Sequence, residues 1–160
     1  MPLHVSLPTS EVPQNAEILQ ITATSTNEKV TVDGGKLKDY VFRACFIDPF
    51  QGQVMAKFAM NDLKFKTAAV MYDNANDYRK CVDQVFKDSF EKCGGKILNF
   101  ESYSTADVDF SAILTKIASG KPEFLFLPDY YNKVNLIAKQ AREKGVTAIL
   151  GGADGWDSAD

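Results

Sequence analysis

Carboxylates, amides and phenols gather at five places in the chain. These are Asp48; Asn74, Asn76, Asp77 and Tyr78; residues 103–107; Asp129, Tyr130 and Tyr131; and Asp154, Trp156 and Asp157. Such a set suits a small zwitterion, with a carboxylate to meet an ammonium and aromatic rings to wall an apolar side chain. Other chemistries need parts that the sequence lacks. No Gly-x-Gly-x-x-Gly and no phosphate loop follows a strand, which argues against a nucleotide. Serines are plentiful, but the single histidine, His4, lies near the terminus and beside no nucleophile. Asp154 and Asp157 are an acidic pair that can suggest a metal or acid–base work. Next to glycines at a strand end, they read first as turn formers. No catalytic residue, metal ligand or cofactor is assigned.

The totals narrow the class further. At 160 residues the chain is long enough for one good core and short for two. Hydrophobic residues at 45% and charged residues at 24% are ordinary globular values and argue against disorder. A net charge of −3, with lysine and aspartate interspersed, leaves no electrostatic footprint for nucleic acid. No stretch approaches the roughly 18 to 20 apolar residues needed to cross a bilayer. The first eight residues lack the basic region and long apolar core of a secretory signal, so the chain reads as cytosolic or as written without its leader. Cys45, Cys81 and Cys93 are odd in number and lack metal-ligand spacing, and all three read as small buried hydrophobes.

Strands and helices must place these loops. Residues 1–17, with Pro2, Pro8 and Pro13 and little periodicity, predict an irregular segment. A short strand starts at Ile18 and runs into Thr24-Ser-Thr-Asn-Glu28, whose side chains compete with the backbone and favour a turn. Residues 29–38, with Asp33-Gly34-Gly35, predict a loop. From Tyr40 the pattern is regular, with apolar strands at 41–46, 67–72, 97–103, 124–127 and 147–150.

Four helices separate the strands. The first starts at Asp48 as cap, has Pro49 at its first helical position and Gln51 completing a capping box. Its buried stripe is predicted to be Phe50, Val54, Met55, Phe58 and Leu63. The second begins at Tyr78, faces Val82, Val85, Phe86, Phe90 and Cys93 inward, and ends at Gly94-Gly95. The third, capped by Asp107 or Asp109, buries Phe110, Ile113, Leu114 and Ile117 and closes at Gly120. The fourth, capped by Asn132, buries Val134, Leu136, Ile137 and Ala141 and ends at Gly145.

A repeat of about 25 to 30 residues is the size of a βαβ unit. The fold class is therefore α/β: an open parallel sheet with helices on both faces and right-handed crossovers. In such a sheet the strand-to-helix loops share the carboxyl edge, where ligands bind. Pro128, with no N–H for a sheet ladder, ends its strand and brings Asp129, Tyr130 and Tyr131 to that edge.

Several segments fall in one familiar order: Thr22-Ala-Thr-Ser-Thr-Asn27, Tyr40-Val-Phe-Arg-Ala-Cys-Phe-Ile-Asp-Pro-Phe-Gln-Gly52, Tyr72-Asp-Asn74, Tyr103-Ser104 with Asp109-Phe-Ser111, Leu127-Pro-Asp-Tyr-Tyr131, Ala138-Lys-Gln-Ala-Arg142 and Gly151-Gly-Ala-Asp-Gly-Trp-Asp-Ser158. In this order residues 20–158 resemble the branched-chain amino-acid-binding proteins of ABC importers, the Leu/Ile/Val-binding group of type I periplasmic binding proteins. The resemblance implies flavodoxin-like (Rossmann-like) lobes that close on an amino acid by a hinge. It implies that Thr24 and Thr26 receive the amino-acid backbone, that Tyr78 and Tyr130 supply ring contacts, and that Asp154 meets the ammonium. Asp48 and Trp156 would stand at the pocket's rim. Leucine, isoleucine or valine as ligand, an ABC permease as partner and an extracytoplasmic location follow from the same resemblance.

The departures shape the expected layout. Glu28 stands where the family usually has a proline, which is expected to loosen the turn. The chain is expected to hold the second lobe and a remnant of the first: 1–17 irregular, 18–39 hinge or first-lobe remnant, and 40–160 the ligand-binding lobe. Such a piece should bind weakly alone and expose apolar surface, favouring a homodimer or a strand-exchanged oligomer. The alternative is a sensory or regulatory domain of the same fold, without a transporter.

Overall fold

The computed structural model describes residues 3–75 and 77–157, without the side chains of residues 3–9 and 77–81. His4, Tyr78 and Cys81 therefore have no described side chain, and Asn76 and Ser158 lie outside the described residues. Packing divides the chain into residues 1–50 and residues 51–160.

In the first unit, α1 spans Leu3–Ala16, where the prolines predicted irregular chain. A proline inside a helix forfeits a hydrogen bond and is tolerated only when other contacts compensate. Here they come from far along the sequence. Lys38 Nζ donates to Ser10 Oγ at 2.8 Å and to Glu11 Oε1 at 2.7 Å, and the Tyr40 N–H donates to Gln14 Oε1 at 3.2 Å. Strand β1 (Gln20–Thr22) leads into the hydroxyl-rich turn and a 3-10 turn at Glu28–Val30, capped by Asn27. The predicted loop at 29–38 contains a small hairpin, β2 (Val32–Asp33) and β3 (Lys36–Leu37). Its turn is made by Gly34 and Gly35 at φ 53° and 80°, the left-handed backbone that glycine adopts without steric cost. Strand β4 (Val41–Arg43) pairs in parallel with β1, Gln20 opposite Val41 and Thr22 opposite Arg43. The division expected at residue 40 thus falls at residue 50 in the packing, inside α2 (Asp48–Lys57).

In the second unit, α2 passes into a π-helical turn, Phe58–Asp62. The helix buries a different face from the predicted one. Gly52, Ala56, Ala59 and Met60 are buried, whereas Phe50, Val54, Phe58 and Leu63 are 36% to 53% exposed. The reason lies in α3 (Asp77–Lys92). A Cβ on Gly52 would stand 2.6 Å from the Val82 carbonyl oxygen and 2.9 Å from the Phe86 nitrogen. Close approach of two backbones requires the small-residue face at the contact, and that turns the large side chains outward.

The main sheet follows the predicted class. β5 (Thr67–Asp73), β6 (Lys96–Tyr103), β7 (Phe124–Phe126) and β8 (Ile149–Gly151) are all parallel, in the order β6-β5-β7-β8. Alternation along β5 and β7 divides the core between two faces. On one face Ala69, Met71 and Leu125 pack with Phe110, Leu114 and Ile117 beside α4 (Ser111–Gly120) and with Ile137 and Ala141 of α5 (Tyr131–Glu143). On the other face Phe86 of α3 stacks on Phe126 with ring centroids 4.2 Å apart, and on Phe90 at 5.5 Å. Helices therefore cover both faces.

Local signals at the helix ends are partly as predicted. Asp109 Oδ1 accepts the Ser111 N–H at 2.9 Å, and bonds to Ser111 hold the Asp109 carboxyl below its ordinary range. Gly94 and Gly145 end their helices at φ 89° and 76°. After α4, the left-handed position is Lys121 at φ 49° rather than Gly120. Gly120 answers a different need, since a Cβ there would meet Asn99 Oδ1 at 2.9 Å. Cys45 is half-buried and Cys93 exposed, so the reading of both as buried hydrophobes does not hold.

Candidate functional site

The strand order sets where a ligand can enter. From β5 the chain moves one way to β6 and then the other way to β7. The loops leaving β5 and β7 part at that reversal, the place at the strands' carboxyl ends where open α/β sheets take their ligands. Asp73 ends β5, and Leu127-Pro128-Asp129-Tyr130 follows β7.

A buried polar network ties these loop ends together. Tyr103 donates its phenol hydrogen to Asp129 Oδ2, and Thr105 Oγ1 donates to Asp73 Oδ2. Asp129 Oδ1 accepts the N–H of Tyr130, and Asp73 Oδ1 accepts the N–H of Ala75. Asp73 and Asp129 are buried, so their carboxylates need these donors to offset lost hydration. Lys133 Nζ closes the outside by donating to the carbonyls of Thr105 (2.9 Å) and Asp107 (2.8 Å). The sequence places Asp129 and Tyr103 on the ligand edge; their side chains serve as its internal frame.

On that frame stand Tyr130, Asp154 and Trp156. Tyr130 is 41% exposed and occupies the position before α5. Asn132, predicted to cap this helix, instead accepts the N–H of Lys133 at 2.9 Å, one residue inside it. Asp154 opens the 3-10 turn Asp154–Trp156, and its N–H donates to Gln51 Oε1 at 3.0 Å. Gln51 is thus not the second half of a capping box: it reaches a residue 103 positions away. A Cβ on Gly155 would lie 2.8 Å from the Asp129 carbonyl oxygen and 3.1 Å from Tyr130 Cδ1. Only glycine lets the turn come this close to the ring. Trp156 Nε1 donates to the Leu127 carbonyl at 2.8 Å, which anchors the indole to the end of β7. The structure therefore brings Tyr130, Asp154 and Trp156 together. The Tyr78 side chain lies outside the described residues, although α3, which carries it, begins four residues after Asp73.

Thr24, Thr26 and Asp48 belong to the first unit. Thr24 is exposed, whereas Thr26 is buried with its carbonyl accepting the N–H of Asp48 at 3.1 Å. Asp48, expected on a rim, is 1% exposed at the first residue of α2. Arg43 grips the turn between these residues and carries no local signal of that role; its partners lie 12 to 18 positions back.

An apolar depression of about 340 Å³ opens beside β8, lined by Met55, Phe58, Leu63, Ile149 and Trp156 among others. No acid or phenol lines it, so it does not offer the groups a zwitterion requires. Among the described residues, no cluster of histidine, cysteine and acidic side chains could hold a metal ion, and no helix is long and apolar enough to cross a membrane.

The fold recurs in known proteins. A leucine-binding protein, LivK, from Thermotoga maritima superposes with a TM-score of 0.85 at 35% identity, over 96% of this chain and 42% of that one. The substrate-binding protein LivJ of a branched-chain amino acid transporter from Streptococcus pneumoniae, solved with isoleucine, gives 0.86 at 29% identity, over 98% and 43%. In sequence, the Leu/Ile/Val-binding protein homolog 3 of Brucella melitensis is 30% identical over 156 residues, 98% of this chain and 41% of that protein. The chain thus spans about two fifths of the length of the relatives it matches. The family profile described as periplasmic binding protein matches residues 4–159, so the likeness takes in the first helix, beyond the 20–158 legible by motif. The chain belongs to the periplasmic binding protein family, with the type I fold of its structural neighbours.

Proposed function

We propose that this chain is part of the extracytoplasmic solute-binding component of an ABC transporter for amino acids, and that its ligand is leucine, isoleucine or valine. The observation that carries the proposal is the exposed pair of Tyr130 and Asp154 on the carboxyl edge of a parallel sheet, held by a buried frame. An exposed phenol ring and an exposed carboxylate answer an apolar side chain and an ammonium. That the fold matches a relative solved with isoleucine supports the choice of ligand class. Thr24 and Thr26 take the amino-acid backbone in this reading, Tyr78 adds a second ring, and Trp156 stiffens the wall behind Asp154. Binding and release are the whole activity, with no bond made or broken. An ABC permease receives the loaded protein. Exposed Ile18, Leu19, Ile21 and Phe42 favour self-association of the isolated chain, which light scattering after size-exclusion chromatography would read as a dimer or larger species.

Calorimetric titration with leucine, isoleucine, valine and a panel of polar amino acids tests the ligand. It should be run on this chain and on a version extended with the remaining length of a relative. The extended protein should bind branched-chain amino acids, the chain alone more weakly. Asp154→Ala should weaken the extended protein at least tenfold. If the extended protein ignores every amino acid, the transport reading fails.

A further inference from the structure

The hydroxyl-rich turn after β1 is gripped from one side by a single cation. Arg43, the last residue of β4, donates through Nη1 to the carbonyl oxygens of Ser25 (2.6 Å) and Asn27 (2.9 Å). Its Nη2 donates to Thr31 Oγ1 at 3.0 Å. Three acceptors spread in this way match the planar fork of a guanidinium, and an ammonium on a flexible stem offers no such fork.

The grip has a directional consequence. In a planar trans peptide the C=O and the following N–H point in opposite directions, and the described residues contain no cis peptide bond. The Ser25 carbonyl faces the guanidinium, so the N–H of Thr26 faces away from it. The same holds for the Asn27 carbonyl and the N–H of Glu28. Thr26 is held on its other side as well, because its carbonyl accepts the N–H of Asp48 at 3.1 Å. The Ser25 N–H is turned inward onto Thr22 Oγ1 at 3.2 Å. Of the two amides in the middle of the turn, one is thus folded back onto β1 and the other is aimed away from the cation.

We propose that Arg43 is a positioning residue for ligand binding. It does not touch the ligand; by holding the Ser25 and Asn27 carbonyls on its own side, it presents the Thr26 N–H to the ligand's α-carboxylate. Its charge behind the turn adds to the attraction for that anion. The proposal rests on the amino-acid-binding reading, and it also explains how the turn keeps its shape with Glu28 in place of the expected proline.

The test compares Arg43→Lys with Lys38→Met, a change in the same unit that leaves the turn's own bonds in place. Amide spectra of the full chain are recorded alone, then with leucine and with leucinol, which keeps the ammonium and side chain but lacks the carboxylate. In the unsubstituted chain, leucine should shift the Thr26 amide downfield and leucinol should not. Arg43→Lys should displace the Thr26 and Glu28 amides without ligand and weaken leucine at least tenfold, with leucinol changed less than twofold. Lys38→Met should change both ligands by the same factor. An unchanged leucine-to-leucinol ratio in Arg43→Lys overturns the proposal, as does a Thr26 amide in the unsubstituted chain that ignores leucine while other amides respond. Should no amide respond to either ligand, in this chain or in the version extended with the remaining length of a relative, the amino-acid reading fails with it. Displaced Thr26 and Glu28 amides would then still support the grip on the turn, and undisplaced ones would overturn it.

Discussion

The two units of the chain are held together by different physics. Residues 51–160 close around rings and aliphatic chains: Phe86, Phe90, Phe124 and Phe126 on one face of the sheet, Leu114, Leu125 and Ile137 on the other, all fully buried or nearly so. Residues 1–50 have strands of two or three residues and leave Ile18, Leu19, Ile21, Leu37 and Phe42 at least half exposed. Their joints are cations on oxygen acceptors, Lys38 on Ser10 and Glu11, Arg43 on the turn. Hydrophobic burial is cumulative and tolerant of small shifts, at about 25 cal/mol per Å². A charged hydrogen bond is directional and is lost once its geometry is lost. The second unit is thus suited to be a rigid wall, and the first to set a few polar groups at chosen angles.

The contrast is open to attack from its strongest side first. Phe126→Ala removes a ring stacked on Phe86 and should cost about 3 to 5 kcal/mol in urea unfolding; a loss under about 1 kcal/mol would mean that the aromatic stack is not what closes the second unit. Lys38→Met takes a buried ammonium from Ser10 and Glu11 and should cost about 1 to 2 kcal/mol. Its effect should stay local, with faster amide exchange in α1 and β1 and none in β5 or β7. Uniform acceleration across both units would show one shared unfolding unit and end the comparison.

The smallest effect concerns Glu123 in the second unit. Its Oε2 accepts the N–H groups of Lys66 (2.7 Å) and Thr67 (2.9 Å) and the Thr67 hydroxyl (3.1 Å). The Lys66 N–H is the largest cause of a carboxyl pKa below the ordinary 4.5. A depressed folded value means that the group stabilises above the unfolded pKa and loses that contribution as pH falls through the folded one. Exposure to solvent keeps the contribution under about 1 kcal/mol. Glu123→Gln should therefore lower stability slightly at pH 7 and not at pH 2, as read by thermal melts; an equal loss at both would assign the effect to packing.

Where the sequence was legible, the reason was local. Phe124 to Leu127 is a buried strand and its exit because an apolar run meets Pro128. Tyr130 and Asp154 could be placed on the carboxyl edge because every strand-to-helix loop of a parallel sheet lies there. The face of α2 was not legible. Its large and small stripes repeat with the same helical spacing, and the choice between them came from the backbone of α3 pressing on Gly52. Nor was the role of Gln51, whose partner is 103 residues away, or that of Asp129, whose burial turned an apparent ligand group into a brace for Tyr130.

By itself, then, the sequence determined the alternation of strands and helices, the parallel class of the main sheet and the edge on which the strand-to-helix loops gather. Periodicity and turn residues act over a few neighbours, and those neighbours are written side by side. Tertiary structure alone decided that α1 is a helix despite its prolines, that β4 joins β1, which side of α2 is buried, and that Arg43 holds the turn at Thr26. Each of those outcomes depends on a partner between a dozen and three dozen residues distant, and no local preference carries the strength or direction of such a contact.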